Sequence, residues 1–248
     1  MAKQAKTDRQ AVVEQIRSQQ KNAERRRGLV IVGVCAVVAL LIVGLAAYRP
    51  IKNWYDLRQF RNVAISDIGS PATVCQKQTT KKATGNQQHV PDGQTITYPD
   101  APPAFGEHYG TPDPFARKLY TAGDRPLLGT LVHNLEHGYT ILWYDQSVAD
   151  DNKQMNELRG IADKFSGGTN LRFKFKAVPW LASDGKSFPK GEHIAFTHWS
   201  AGGADVAASG DTSKQIGVWQ YCSSVSGAAL NSFMIKYPYL DAPEPNGA

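Results

Sequence analysis

The chain has 248 residues and a net charge of +6, but much of that charge stands at its N-terminal end, and no nucleic-acid-binding motif accompanies it. Nucleic acid is therefore excluded as a partner. The three cysteines show no Cys-x-x-Cys or zinc-ribbon spacing, which argues against a redox or zinc-ribbon role.

Residues 1–27 are polar, basic and helix-prone, with Val12, Val13 and Ile16 as an incomplete apolar stripe. This segment reads as a tail that rests near a bilayer, binds a partner or stays disordered. Gly28 to Tyr48 then carries no charge, and about 20 apolar residues match the thickness of a bilayer's hydrocarbon core. A signal peptide cleaved near Ala46-Ala47 is the rival. The long polar lead and the lack of an Ala-x-Ala site favour an uncleaved signal anchor. Lys3, Lys6, Arg9, Arg17, Lys21 and Arg25 to Arg27 outnumber Arg49, Lys52, Arg58 and Arg61. The expected topology is a cytoplasmic segment 1–27, a transmembrane helix 28–48 in membrane lipid, and the remainder extracytoplasmic. Basic flanks suit anionic head groups, and a membrane-complex or envelope protein is a candidate partner.

Residues 49–88 are expected to be a juxtamembrane segment and linker, with Trp54, Tyr55 and Phe60 at head-group level, and residues 66–90 read as loop. Cys35 lies inside the apolar span. Cys75 and Cys222 remain as an even pair in the exported part, open to pairing in an oxidising compartment or to standing as free thiols.

The globular pattern occupies residues 89–248. Tyr98 to Tyr120 is rich in Pro and Gly, hence extended and turned, and Gly129 to His137 is a short helix. Tyr139 to Tyr144 reads as a buried strand. Asp150 or Asp151 caps a helix with an apolar face of Met155, Leu158, Ile161, Ala162 and Phe165. Leu171, Phe173 and Phe175 alternate with Arg172, Lys174 and Lys176, predicting a strand with one wet face. His193 to Trp199 predicts another strand, and Asp211 or Thr212 opens a long C-terminal helix. Trp143, Trp180, Trp199 and Trp219 read as core. The alternation predicts one α/β or α+β domain with a mixed sheet, of about 150 residues, large enough to need no structural metal.

Four of the six histidines fall between His89 and His137. His133 and His137, four residues apart, share one helix face beside Glu136. His108 and His89 reach the same place from loops in a metal site, with zinc or copper(II) as the ion and nickel(II) also accepting such ligands. Glu136 then orients a ligand or accepts its N–H. Three rivals stay open: a hydrogen-bonded network that braces the Pro-rich loop, acid–base catalysis without metal, and a zinc hydrolase. In the last, His-x-x-Glu-His is an inverted protease spelling with Glu136 as base. An odd separation places His193 and His198 on opposite faces of their strand.

Tyr98, Pro102 to His108, Tyr120, Val132 to Gly138, Tyr144 and Ala242-Pro243-Glu244-Pro245 together resemble the bacterial family known as domain of unknown function 3105. The chain departs from it at Ala104-Phe105, where Thr-Ser is usual, and at Glu107, where Pro is usual. The resemblance implies a single-span protein with an exported domain and implies no activity. Function therefore rests on the histidines: metal binding without turnover first, a non-catalytic accessory subunit of a membrane or envelope complex second.

Overall fold

The computed structural model describes residues 2–83 and 87–247. Met1, residues 84–86 and Ala248, which fall within the expected 1–27, 49–88 and 89–248 segments, lie outside the described residues. Two compact units result, Met1–Asp56 and Leu57–Ala248. The first is almost all of helix α1, Ala2–Leu57, which includes the whole of 28–48. Its most apolar stretch has a mean hydropathy of 3.1 and no burial, so it is long and apolar enough to cross a membrane.

The second unit is a mixed α/β body around one five-stranded sheet. In chain order its elements are β1 (Thr79–Lys82), β2 (His89–Val90), β3 (His108–Tyr109), α2 (Leu128–Glu136), β4 (Thr140–Tyr144) and α3 (Gln146–Asp150). There follow α4 (Asn152–Lys164), β5 (Phe175–Pro179), β6 (Ile194–Ser200), α5 (Ala204–Ser209), β7 (Ile216–Cys222) and α6 (Gly227–Lys236). The sheet order is β1-β7-β6-β4-β5, antiparallel except for the parallel β4–β5 pair. Strand alternation sends Ile141 and Trp143 of β4 to one face and Leu142 and Tyr144 to the other. On the second face they meet α4 through Leu158 and Ile161, and α6 through Leu230 and Phe233. On the first they meet α2 through Leu131 and Leu135, with Trp199 and Val178. The four predicted core tryptophans are buried. Asp151 caps α4, accepting from the Lys153 and Gln154 amides, as its sequence predicts.

The structure differs from the sequence reading in three places. Residues 57–83, expected as juxtamembrane segment and loop, belong to the body. Ile68 is buried in the core, Ile65 and Phe60 pack on it, and β1 adds an edge strand to β7. A close approach makes this feasible: Gly227 donates to the Ile68 carbonyl at 2.9 Å, where a Cβ would stand 1.9 Å from the Ile65 carbonyl oxygen. Asp211 caps only one short turn, Thr212–Lys214. The next residues, Ile216 to Cys222, are β-branched and aromatic and pair on both sides as β7, so the last helix is α6, capped by Ser226. The third difference concerns the lysines. Leu171–Phe173 is a 3₁₀ turn and every residue of β5 is buried, so there is no wet face. Lys174 Nζ donates to the carbonyls of His137 (2.8 Å), Pro245 (2.9 Å) and Gly247 (2.8 Å). Lys176 Nζ pairs with Asp113 and donates to the carbonyls of Pro114 (2.9 Å) and Arg117 (3.2 Å). An ammonium with three donors and three acceptors tolerates burial.

Cys75 and Cys222 form a disulfide across 147 residues of sequence. Cys35 is the free cysteine and lies in α1.

Candidate metal centre

Helix α2 is only nine residues long because Gly138, at φ +87°, ends it. The Gly138 amide donates to Leu135 O (3.0 Å) and the Tyr139 amide to Asn134 O (3.1 Å), closing the last turn and launching β4. The helix thereby holds His133, Glu136 and His137 on the face away from its apolar contacts. All three are buried. Across from them, β2 and β3 pair in parallel with His89 opposite His108. That two-residue ladder replaces the independent loops foreseen from the sequence. Asn134, also on α2, ties the Pro-rich loop down by bonding both the amide and the carbonyl of Asp113.

The four predicted imidazoles are brought together. Ring centroids lie 4.8 Å apart for His89–His108, 4.9 Å for His89–His133, 5.0 Å for His108–His133 and 4.4 Å for His133–His137. Ligand atoms of His89, His108 and His133 fall within 4.8 Å of one another, as do those of His133, Glu136 and His137. Donors around an occupied tetrahedral ion stand about 3.4 Å apart, given bonds of about 2 Å. The open spacing is thus within reach of small side-chain rotations.

The outward nitrogens define the tautomers. His108 Nδ1 faces Gly106 O at 2.8 Å, and His133 Nδ1 faces Tyr109 O at 2.5 Å. A carbonyl only accepts, so both Nδ1 atoms carry hydrogen, and in the neutral rings both Nε2 atoms are bare lone pairs. His108 Nε2 stands 2.9 Å from Glu136 Oε2, within ion-pair distance. The His108–Glu136 contact is off the line of an ideal hydrogen bond, and the Gln87 side chain also bears on the Glu136 carboxylate. His133 Nε2 stands 3.1 Å from His137 Nε2. A lone pair facing a carboxylate in a buried site calls for a positive species between them, a proton or a metal ion.

The electrostatics differ from ring to ring. Burial holds the His133 imidazole down at about 4 against a raising Tyr109 carbonyl, with His137 and His108 adding to the depression, so it is neutral and able to ligate. Burial also opposes the charged form of His108, but Glu136 and the Gly106 carbonyl outweigh it and the net shift is upward, so in the ion-free site a proton joins His108 to Glu136 and a metal ion would displace it. Glu136 shows the converse: burial favours its neutral acid, and His108 outweighs that to keep it ionised. His89 is half-exposed, 3.9 Å from Glu136 Oε2, and forms the open side of the cluster.

The remaining histidines do not join. His198 is fully buried with its nitrogens on Tyr139 O (3.2 Å) and Asp241 O (2.7 Å), and His193 pairs with Asp145 at 2.8 Å. Cys75 and Cys222 are spent on each other. Sequence reasoning missed Glu244, whose Oε2 lies 3.5 Å from His137 Nε2, and the Gly106 and Tyr109 carbonyls that orient the rings. Glu244 had a signal, since it belongs to the Ala-Pro-Glu-Pro block; the carbonyls had none, because any residue supplies one.

Residues 89–248 match the family described as "Protein of unknown function (DUF3105)". No curated protein and no solved structure matches the chain. The chain belongs to that family.

Proposed function

We propose that this chain is a membrane-anchored protein whose exported body binds a divalent transition-metal ion, zinc or copper(II), without turnover. His89, His108 and His133 are the ligands, Glu136 the adjoining carboxylate, and His137 the neighbour completing the set. One observation carries the reading. Ligand atoms of His89, His108 and His133 converge within 4.8 Å of one another, and the Nδ1 atoms of His108 and His133 are each committed to a backbone carbonyl. That is how a protein holds an imidazole for a metal, its far nitrogen fixed so that the near one is free to donate. The donors are nitrogen and carboxylate, with no thiolate or thioether, which suits zinc and copper(II) over copper(I). Glu136 is fully buried against His108 and so lacks the water contact a hydrolytic base needs, which favours binding over catalysis.

The anchor reading rests on the charge-free 28–48 stretch of α1, and the orientation on the Lys and Arg excess before it. The Cys75–Cys222 disulfide supports an oxidising compartment for the body.

The test loads the full chain in non-ionic detergent with zinc or copper(II) chloride, dialyses it, and counts metal per chain. The expected result is about one ion for the wild type and close to none for His108→Ala and His133→Ala. A wild type that retains none, or variants that retain as much as the wild type, would reject the proposal. A metal-free chain that instead co-purifies with an envelope protein would favour an accessory-subunit role with a bracing histidine network.

A further inference from the structure

The C-terminal segment after α6 has no regular structure, yet its backbone is tied down along its length. The Asp241 carboxylate accepts from Ser200 Oγ (2.8 Å) and the Gly203 amide (2.7 Å), and the Asp241 carbonyl faces His198 Nε2 at 2.7 Å. The Glu244 amide donates to the Glu136 carbonyl at 3.0 Å, and Lys174 Nζ gathers the Pro245 and Gly247 carbonyls. Gly247 lies so close to His137 that a Cβ there would stand 2.3–2.5 Å from three ring atoms. The segment therefore crosses the histidine cluster and lays its own backbone on one of the rings.

What it delivers is a carboxylate. Glu244 Oε2 is 3.5 Å from His137 Nε2, longer than the about 2.7–2.9 Å of a charge-assisted hydrogen bond, while Gln87 Nε2 holds Oε1 at 3.4 Å. Glu244 is half-exposed and Glu136 fully buried, so the two carboxylates approach the imidazoles from the open and the closed side. Charge balance favours both. A divalent cation among neutral imidazoles and Glu136 alone would leave one uncompensated positive charge in a mostly dry site; Glu244 brings the sum to zero.

We infer that Glu244 is a further ligand residue of the same divalent-cation centre, and that the segment carrying it is a clasp which the bound ion locks shut. The inference rests on the metal-binding reading above. It adds a ligand from a separate element and ties the order of the chain's end to occupancy of the site.

The experiment uses the full chain in non-ionic detergent with zinc chloride as the only probe. Hydrogen exchange of the peptide covering 239–247 is followed with and without zinc, and zinc affinity is measured by competition with a chromophoric chelator for the wild type and Glu244→Gln. Zinc should slow exchange of that peptide at least about tenfold in the wild type, and Glu244→Gln should bind zinc about 10–100-fold more weakly and lose most of the protection. A wild type that binds zinc tightly while the peptide exchanges at its zinc-free rate, with Glu244→Gln of equal affinity, overturns this inference and leaves the metal centre standing. A wild type that binds no zinc overturns both. The wild-type exchange comparison needs no variant, so a poorly folding Glu244→Gln would not rescue the idea.

Discussion

Removing the Cys75–Cys222 cross-link should cost more stability than any single core substitution in this body. The bridged residues are 147 apart, and the chain-entropy relation for a loop of that length gives about 5 kcal/mol at 25 °C. The location adds a local consequence. Cys75 lies just before β1, an edge strand whose four side chains are all exposed, so β1 contributes little apolar burial of its own. Its hold on β7 depends on the ladder Thr79↔Trp219 to Lys82↔Ile216 and on the bridge to buried Cys222. For a body of this size 5 kcal/mol corresponds to about 10–20 °C in Tm. The assay is thermal unfolding of the full chain in detergent, followed by tryptophan fluorescence, for oxidised wild type, wild type reduced with dithiothreitol, and Cys75→Ala/Cys222→Ala. Trp143, Trp180, Trp199 and Trp219 all report on the second unit. Reduced protein and double variant should melt far below the oxidised chain, and β1 amides should exchange first. A midpoint within about 3 °C of the oxidised protein would mean that packing alone holds residues 57–83, and the reasoning from loop length would fail.

Lys118 gives a pH signature. Burial, with Lys176 adding to it, pushes its ammonium from 10.5 down to about 7, so between about pH 7 and 10 the folded chain holds fewer protons than the unfolded one. Stability should then rise with pH across that window by up to about 1.4 kcal/mol per unit, with Lys174, lowered to about 8 by burial, acting in the same direction. Urea titrations at several pH values check this, and Lys118→Met should flatten the profile; equal slopes for both proteins would contradict it. Gly138→Ala places a Cβ 2.2 Å from the Tyr239 carbonyl oxygen at a φ of +87°, and should lower stability by about 2–4 kcal/mol in a melting experiment. Glu136→Gln removes the carboxylate but keeps its shape, and should weaken zinc binding about 10–100-fold in chelator competition. At a zinc concentration 100 times the wild-type Kd the ion stabilises wild type by about 2.7 kcal/mol, and the variant should lose between about half and most of that rise; equal zinc-induced shifts in Tm would show that Glu136 is no part of the centre.

The legible parts of the fold were those where one stretch of sequence decides its own structure. Asp150 or Asp151 before an i, i+3, i+4 apolar pattern marks the start of α4, where Asp151 is the cap, and Gly138 after His137 marks the end of α2. The parts that misled are decided elsewhere in the chain. Thr79 to Lys82 is polar throughout and becomes a strand because β7 offers it an open edge. Lys174 and Lys176 carry the alternation of a half-wet strand, and are buried because carbonyls from residues 114, 117, 137, 245 and 247 converge on their ammonium groups. Backbone acceptors leave no mark on sequence pattern, so a lysine paired with carbonyls is indistinguishable, before folding, from one facing water.

The same asymmetry runs through the candidate centre. Its donors were legible, since His133 and His137 share a helix face by spacing and His89 and His108 are drawn from the small pool of remaining imidazoles. Their orientation was not, because the Gly106 and Tyr109 carbonyls that fix each ring come from residues whose side chains are irrelevant to the task. Orientation is nevertheless what separates the two leading readings. A buried histidine that only braces backbone sits as His198 does, with its two nitrogens on the Tyr139 and Asp241 carbonyls and outside the histidine cluster. At His108 and His133 one nitrogen is committed to a backbone carbonyl and the other turns toward the neighbouring imidazole or carboxylate of the cluster. Without an ion, a proton shared with Glu136 satisfies His108, in keeping with its upward shift, and a cation that displaces that proton gains several converging imidazoles at once.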